Sequence, residues 1–126
     1  MQFTRKEADL IELNDLLSLP TVSQNGRPHC VPVSYVYLYR KFYVPASATS
    51  KKIRNLRQTH RATILVDDDE TESGLVMECE PKILSGAKAK KFRDYMRRVK
   101  GWQNDETIVI IVLTPLRKAS WFFKDI

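Results

Sequence analysis

Six runs of apolar and β-branched residues, each closed by turn residues, recur along this chain, and no other feature limits its fold so tightly. The sharpest junction is Gln24-Asn25-Gly26-Arg27. Asn and Gly both tolerate positive φ, so this dipeptide between two such runs reads as a β-hairpin. The runs fall at about Leu19–Ser23, Pro28–Leu38, "FYVPA" (42–46), Arg61–Val66, "GLVMECEPKIL" (74–84) and "TIVIIVLTP" (107–115), with "ASWFF" extending or following the last. Within Pro28–Leu38, His29, Val31, Val33, Tyr35 and Tyr37 alternate with Cys30, Pro32, Ser34, Val36 and Leu38. Both sets are largely apolar, so both faces of that strand are expected to be covered.

Helical segments interrupt the strands. Thr4 and Glu7 stand at capping-box spacing, and Leu10, Leu13 and Leu17 share one helical face, which predicts a helix from Arg5 to Leu17. A short helix is expected over Ser50–Gln58, and a longer one over Ala87–Lys100 with Ala89, Phe92, Met96 and Val99 on one stripe. Short strands joined by hairpin-like turns, with few helices, predict a mainly β (α+β) fold built on a small antiparallel barrel. At 126 residues and 43% apolar content, one domain over 1–126 with a single core is expected.

Cys30 and Cys79 lie in separate strand-like runs and suggest free thiols in a reducing compartment. The start "MQFTRKEADLIEL" is charged, unlike a signal peptide, and no run approaches the roughly 20 apolar residues of a membrane span. A cytoplasmic protein without a membrane partner is therefore expected. His29 and His60 are far apart and unaccompanied by cysteine pairs, so no metal site is expected. The net charge of +6 suits an anionic partner: nucleic acid, a phosphorylated cofactor or acidic lipid. Hydrolase and nucleotide-loop motifs are missing, and Glu78 and Glu80 share a strand face that reads as the solvent side. No catalytic side chain can be assigned, so an enzyme of this sequence would take its reactive group from a cofactor.

Three stretches carry candidate chemistry. The first is "SATSKKIRNL", Ser47–Leu56. A phosphate is held by helix N-terminal amides, hydroxyls and a cation, which Thr49, Ser50, Lys51 and Lys52 offer together. The plain alternative is a capped helix with two solvated lysines. The second is Pro32, which lacks a ladder donor. It marks either an edge strand or bulge, or a strand whose backbone from Val31 to Ser34 meets a planar ligand. The third is the basic helix Ala87–Lys100, either a nucleic-acid surface or a solvated face. Trp102 and Trp121 read as core or interface anchors that can also stack on a ligand.

The stretch "LSLPTVSQNGRPHCVPVSYVYLYRKFYVPASATSKKIRNL", then "RATILV", "GLVMECEP" and "TPLRKASWFF", resembles the pyridoxamine 5′-phosphate oxidase-like family of flavin-binding split barrels. The likeness is strongest from Gly26 to Leu56. It implies a six-stranded antiparallel split β-barrel with Greek-key topology and flanking helices. It further implies an FMN-binding homodimer with the cofactor at the subunit interface and hydride transfer through flavin N5. By this resemblance Ser50 and Lys52, beside Thr49 and Lys51, hold the FMN phosphate. Val31, Pro32, Val33 and Ser34 present their backbone to the ring, Tyr43 and Val44 line it, and Trp121 reaches it. A small-molecule substrate is implied, and no nucleic acid. The oxidase proper has an Arg where this chain has Val31, and a basic final segment where this chain reads "WFFKDI", so oxidation of pyridoxamine phosphate is not implied. Cys79 stands where relatives often have Gly. Relatives use FMN, F420 or haem; no His here matches a haem ligand. The alternatives are an F420-dependent reductase on the same fold, or a non-catalytic flavin- or nucleic-acid-binding protein.

Overall fold

The computed structural model describes residues 1–124. Helix α1 (Arg5–Leu13) precedes strands β1 (Leu16–Val22), β2 (Pro28–Ser34), β3 (Val36–Leu38) and β4 (Lys41–Ser47). Then follow α2 (Lys51–Leu56), β5 (Ala62–Asp68), β6 (Ser73–Leu84), α3 (Gly86–Lys100) and β7 (Ile108–Phe122). All strands belong to one antiparallel sheet in the order β2-β1-β5-β6-β7-β4-β3. The chain steps from β4, near one edge, across to β5 in the middle, a Greek-key crossover. Its two edges, β2 and β3, are consecutive in sequence, so the sheet curls into a split barrel that stays unpaired along that seam. The fold expected from the sequence is the fold observed, with seven strands instead of six.

The extra strand arises at Tyr35. Its amide leaves the ladder and donates to the Asp15 carbonyl at 3.2 Å, while its hydroxyl donates to the Ile11 carbonyl at 2.5 Å. The expected strand Pro28–Leu38 is thereby cut in two: β2 pairs with β1, and β3 pairs with β4. Helix α1 is also shorter than its leucine spacing suggests. Asn14 turns extended and its side chain donates to the Leu10 carbonyl at 2.8 Å. Leu13 is left 71% exposed. Leu17 then joins Leu19 and Thr21 on the buried side of β1, where a period of two, not 3.6, places all three inside.

The barrel interior is filled by alternate residues, among them Leu17, Leu19, Phe42, Val44, Ile64, Leu75, Met77, Ile111 and Leu113. Helix α2 adds Ile53 and Leu56, and its buried Asn55 donates to Thr21 Oγ1 at 2.9 Å. Helix α1 keeps its predicted capping box and adds a second use for Glu7. The carboxylate accepts from Lys118 Nζ, and from Ser120 Oγ at 2.7 Å, across more than a hundred residues. A bulge makes this possible. Glu78 pairs with Arg117 but Cys79 pairs with Pro115, so Leu116 has no partner and the side-chain parity of β7 flips. Lys118, Ser120 and Phe122 then point to the α1 side.

Candidate functional site

Strand β2 is an edge strand, which is why it tolerates Pro32. Val33 is buried and Val31 half-buried within the barrel, while Cys30, Pro32 and Ser34 are exposed. The expectation that both faces are covered is therefore not met in the single chain: only the inner face is. The outer face continues with Leu16, Pro20 and Val22 on β1, with half-buried Leu65 and Val76, and with Trp121 on β7. Trp121 lies flat over its cross-strand partner Gly74, where a Cβ would stand 2.0 Å from the indole.

Strand β4 obeys the same alternation. Phe42, Val44 and Ala46 are buried in the barrel, so Tyr43, Pro45 and Ser47 face outward. Pro45 and Ser34 flank a hollow of about 310 Å³ whose other walls are Arg93 of α3, Ile108, and Trp102 and Asp105 of the α3–β7 loop. Arg93 is buried: its Nε donates to Asn104 Oδ1 at 2.9 Å and its Nη1 to the Ile108 carbonyl at 2.7 Å. Asp105 is fixed by the Thr107 amide and hydroxyl, which hold its carboxyl below the usual carboxylate range. The hollow thus has a rigid cation and a rigid anion near an apolar floor. Val99, on the apolar stripe expected from the sequence, is 53% exposed, whereas Arg93, which lies off that stripe, is buried.

The end of β4 adjoins the hollow directly. Ser47 pairs with Ile108, and the Ala48 amide donates to the Thr107 carbonyl at 2.9 Å. Ser47 and Thr49 hydroxyls stand 3.2 Å apart. Ser50 occupies the N-cap of α2, but its hydroxyl donates back to the Ser47 carbonyl at 2.8 Å and caps no helix amide. The first turn of α2 contains no acid, and Lys51 and Lys52 form no ion pair among the described residues. Two cations, two hydroxyls and the opening amides of α2 are thus gathered without a protein anion to answer them. That donor set fits a phosphate.

The fold places Ser34 in this hollow, with Pro32 on the same face of β2, and pairs Ser47 with the Ile108 wall; Thr49 to Lys52 follow Ser47 in the chain and do not themselves line it. It separates the other sequence candidates. Val33 and Val44 turn their side chains into the barrel. Tyr43 lies against α3, stacked on Phe92 with centroids 4.7 Å apart. Trp121 is thirteen positions beyond Ile108 on one strand, roughly 40 Å along it. Pro45, Arg93 and Asp105 join the hollow without belonging to any motif in the sequence. Only Pro45 had a usable signal, its place two residues after Tyr43 in an alternating strand.

The family model for pyridoxamine 5′-phosphate oxidase matches residues 3–122. The chain belongs to this family. Solved structures share the family fold with it. A pyridoxamine 5′-phosphate oxidase-related, FMN-binding protein from Nostoc punctiforme superposes with a TM-score of 0.69 at 17% identity, over 84% of this chain and 73% of that one. The haem storage protein HutZ from Vibrio cholerae gives 0.72 at 17%, over 97% and 95%. An F420 reductase gives 0.67 at 16%, over 82% and 88%. At these identities the likeness concerns the fold, and the family fold accommodates more than one cofactor. Among the described residues, no helix is long and apolar enough to cross a membrane.

Proposed function

We propose that this chain binds FMN and, as a homodimer, transfers hydride between the flavin and a small-molecule substrate. The observation that carries the reading is the uncompensated cationic start of α2 beside the Ser34–Pro45 hollow. Lys52 and Lys51 would take the phosphate with the α2 amides, and Ser50 would turn its hydroxyl from the Ser47 carbonyl toward it. Two or three charge-assisted hydrogen bonds, at roughly 1.5–3 kcal/mol each, account for holding a dianion there. The outward backbone of β2 from Val31 to Ser34, along the unpaired seam, is the surface for the ring. Bound FMN supplies the hydride chemistry; the chain supplies position, charge and exclusion of water.

The dimer reading rests on two features. The outer face of β2 and β1 exposes Leu16, Pro20, Val22 and Pro32 with nothing over them in the single chain. Trp121 is too far along β7 to reach its own Ser50, so a flavin contact from it requires a second copy.

The test is an absorbance spectrum after FMN is added and the protein desalted. A retained flavin band near one per chain is expected, and Lys52→Ala should weaken binding roughly tenfold or more, the loss of one charged hydrogen bond. Unchanged affinity in that variant would overturn the phosphate assignment. F420 also carries a phosphate, so the same seat serves it; preferential retention of F420 would replace FMN in the reading. A Soret band from added haem, with no flavin retained, would overturn both.

A further inference from the structure

Helix α3 has two flanks. The flank carrying Arg93 belongs to the hollow described above. The other faces the β3–β4 turn across a groove of about 450 Å³, within the range of small-molecule sites. Its floor is aromatic: Tyr43 stacked on Phe92, their planes 16° apart, with Tyr95 40% exposed beside them. Its rim is cationic. Lys88, Lys91 and Arg98 line it, no acidic residue does, and none of the three makes an ion pair among the described residues. Lys90, one residue from Lys91 on the same helix, shows the contrast, since it is paired with Asp94 at 2.9 Å. The three rim cations are spread over about 15 Å of helix.

The fourth wall is held there at a cost. Leu38 pairs with Lys41, so Tyr39 and Arg40 form a two-residue turn, and both have positive φ, 53° and 64°. Asn-Gly is the usual occupant of such a turn, and a residue with a Cβ is strained in it by about 1–2 kcal/mol. The strain sets the Tyr39 ring, 84% exposed, at the mouth of the groove. Strained backbone that holds an exposed ring beside an aromatic floor and unpaired cations is a reason to look for a ligand there.

We propose that this groove binds a small planar aromatic anion, a one- or two-ring molecule bearing a phosphate or carboxylate. The ring packs against the stacked Tyr43–Phe92 pair beside Tyr39, and the anionic group meets Lys91 and Arg98. A neutral ring would leave the cations unanswered, and a bare anion would leave the aromatic floor wet. The site is separate from the proposed flavin seat and does not depend on it.

The probe is 1-naphthyl phosphate, titrated calorimetrically into the protein with and without saturating FMN, with 1-naphthoate as the carboxylate arm. Saturable binding that FMN does not displace is expected. It should fall at least tenfold in Lys91→Gln/Arg98→Gln and in Tyr39→Ala, and remain unchanged in Lys52→Ala. Those groove variants should retain FMN as the parent does, which also certifies their fold. Whichever of the two naphthyl anions binds more tightly names the anionic group. Equal binding of 1-naphthol or of inorganic phosphate alone would overturn the proposal. So would loss of binding in Lys52→Ala with none in the groove variants, which would place the probe in the flavin seat. Tighter, salt-sensitive competition by a twelve-residue oligothymidylate would overturn it in favour of a nucleic-acid surface.

Discussion

The inner and outer faces of the same strands differ more than their sequences do. On the inner face of β1, β4, β5 and β6, Leu19, Phe42, Val44, Ile64, Leu75 and Met77 are wholly buried. Polar groups admitted there are answered, Asn55 by Thr21 and Glu7 by Lys118 and Ser120; His29 Nδ1 is the one buried side-chain nitrogen or oxygen without a hydrogen-bond partner among the described residues. On the outer face of β1 and β2, the apolar side chains of Leu16, Pro20, Val22 and Pro32 stand bare. The inner face therefore specifies the fold, and the outer face is left over for whatever the protein meets. Where α3 does cover the outside, over β4 and β7, it packs a second, smaller cluster around Ala89, Ile110 and Val112 and forms the wall of both clefts.

The contrast is broken most forcefully from inside. Phe42→Ala removes a fully buried ring that touches Tyr35 and Tyr37 edge-on or tilted. It should cost roughly 3–5 kcal/mol in urea unfolding. A loss under 1 kcal/mol would mean that the barrel interior is not the main source of stability.

Glu7→Gln comes next, at about 2–3 kcal/mol, because it leaves the half-covered Lys118 ammonium unpaired. The pair also has a pH signature. Burial pushes the Glu7 carboxyl up, but hydrogen bonds from Lys118, the Thr4 amide and Ser120, with the Lys118 charge, outweigh it and bring the pKa down to about 2, from 4.5. The unfolded chain then takes up the proton first. Glu7 stabilises the fold fully above about pH 4.5 and loses that contribution as pH falls toward about 2. The parent and Glu7→Gln should converge in stability over that window; parallel curves would show that Glu7 is not ionised in the fold.

Much of this arrangement was legible in the residues. The Asn25-Gly26 hairpin and the Thr4–Glu7 box each have one reading, and both hold. What failed to show was set by contacts remote in sequence. Leu17 fits a helix face and a strand face equally, and the barrel decides for the strand. Nothing local in Tyr35 says that its hydroxyl will bond Ile11 and cut a strand in two. Of the candidate site, the Ser50–Lys52 cluster proposed to seat a phosphate is local in sequence and could be picked out there. The hollow beside it could not, because Arg93 is buried by Asn104 and by the start of β7, eleven and fifteen residues away.

A methyl group tests the outer face at the far end of β7, where Trp121 rests on Gly74. Gly74→Ala would place a Cβ inside the Trp121 indole, 2.0 to 2.7 Å from three of its atoms, so the ring must leave. The expected cost is about 1–3 kcal/mol, with a red-shifted tryptophan emission as Trp121 meets water. An unchanged spectrum and stability would show that Trp121 does not rest on Gly74, and that the outer face has no fixed aromatic at that end.

The smallest effect on folding should come from Leu16→Glu. Leu16 is 53% exposed and faces outward across from Ser34, so the single chain loses less than about 0.5 kcal/mol. If the bare face is where two copies meet, the same charge must be buried without a partner in the dimer, and sedimentation should shift from dimer to monomer at unchanged urea midpoint. That dissociation of the two readouts separates the faces: an inner substitution moves the midpoint, an outer one moves the assembly. A lowered midpoint in Leu16→Glu would mean that the chain itself covers Leu16. A parent protein that sediments as a monomer would mean that the outer face waits for something other than its own copy, and Trp121 would then have no flavin within reach.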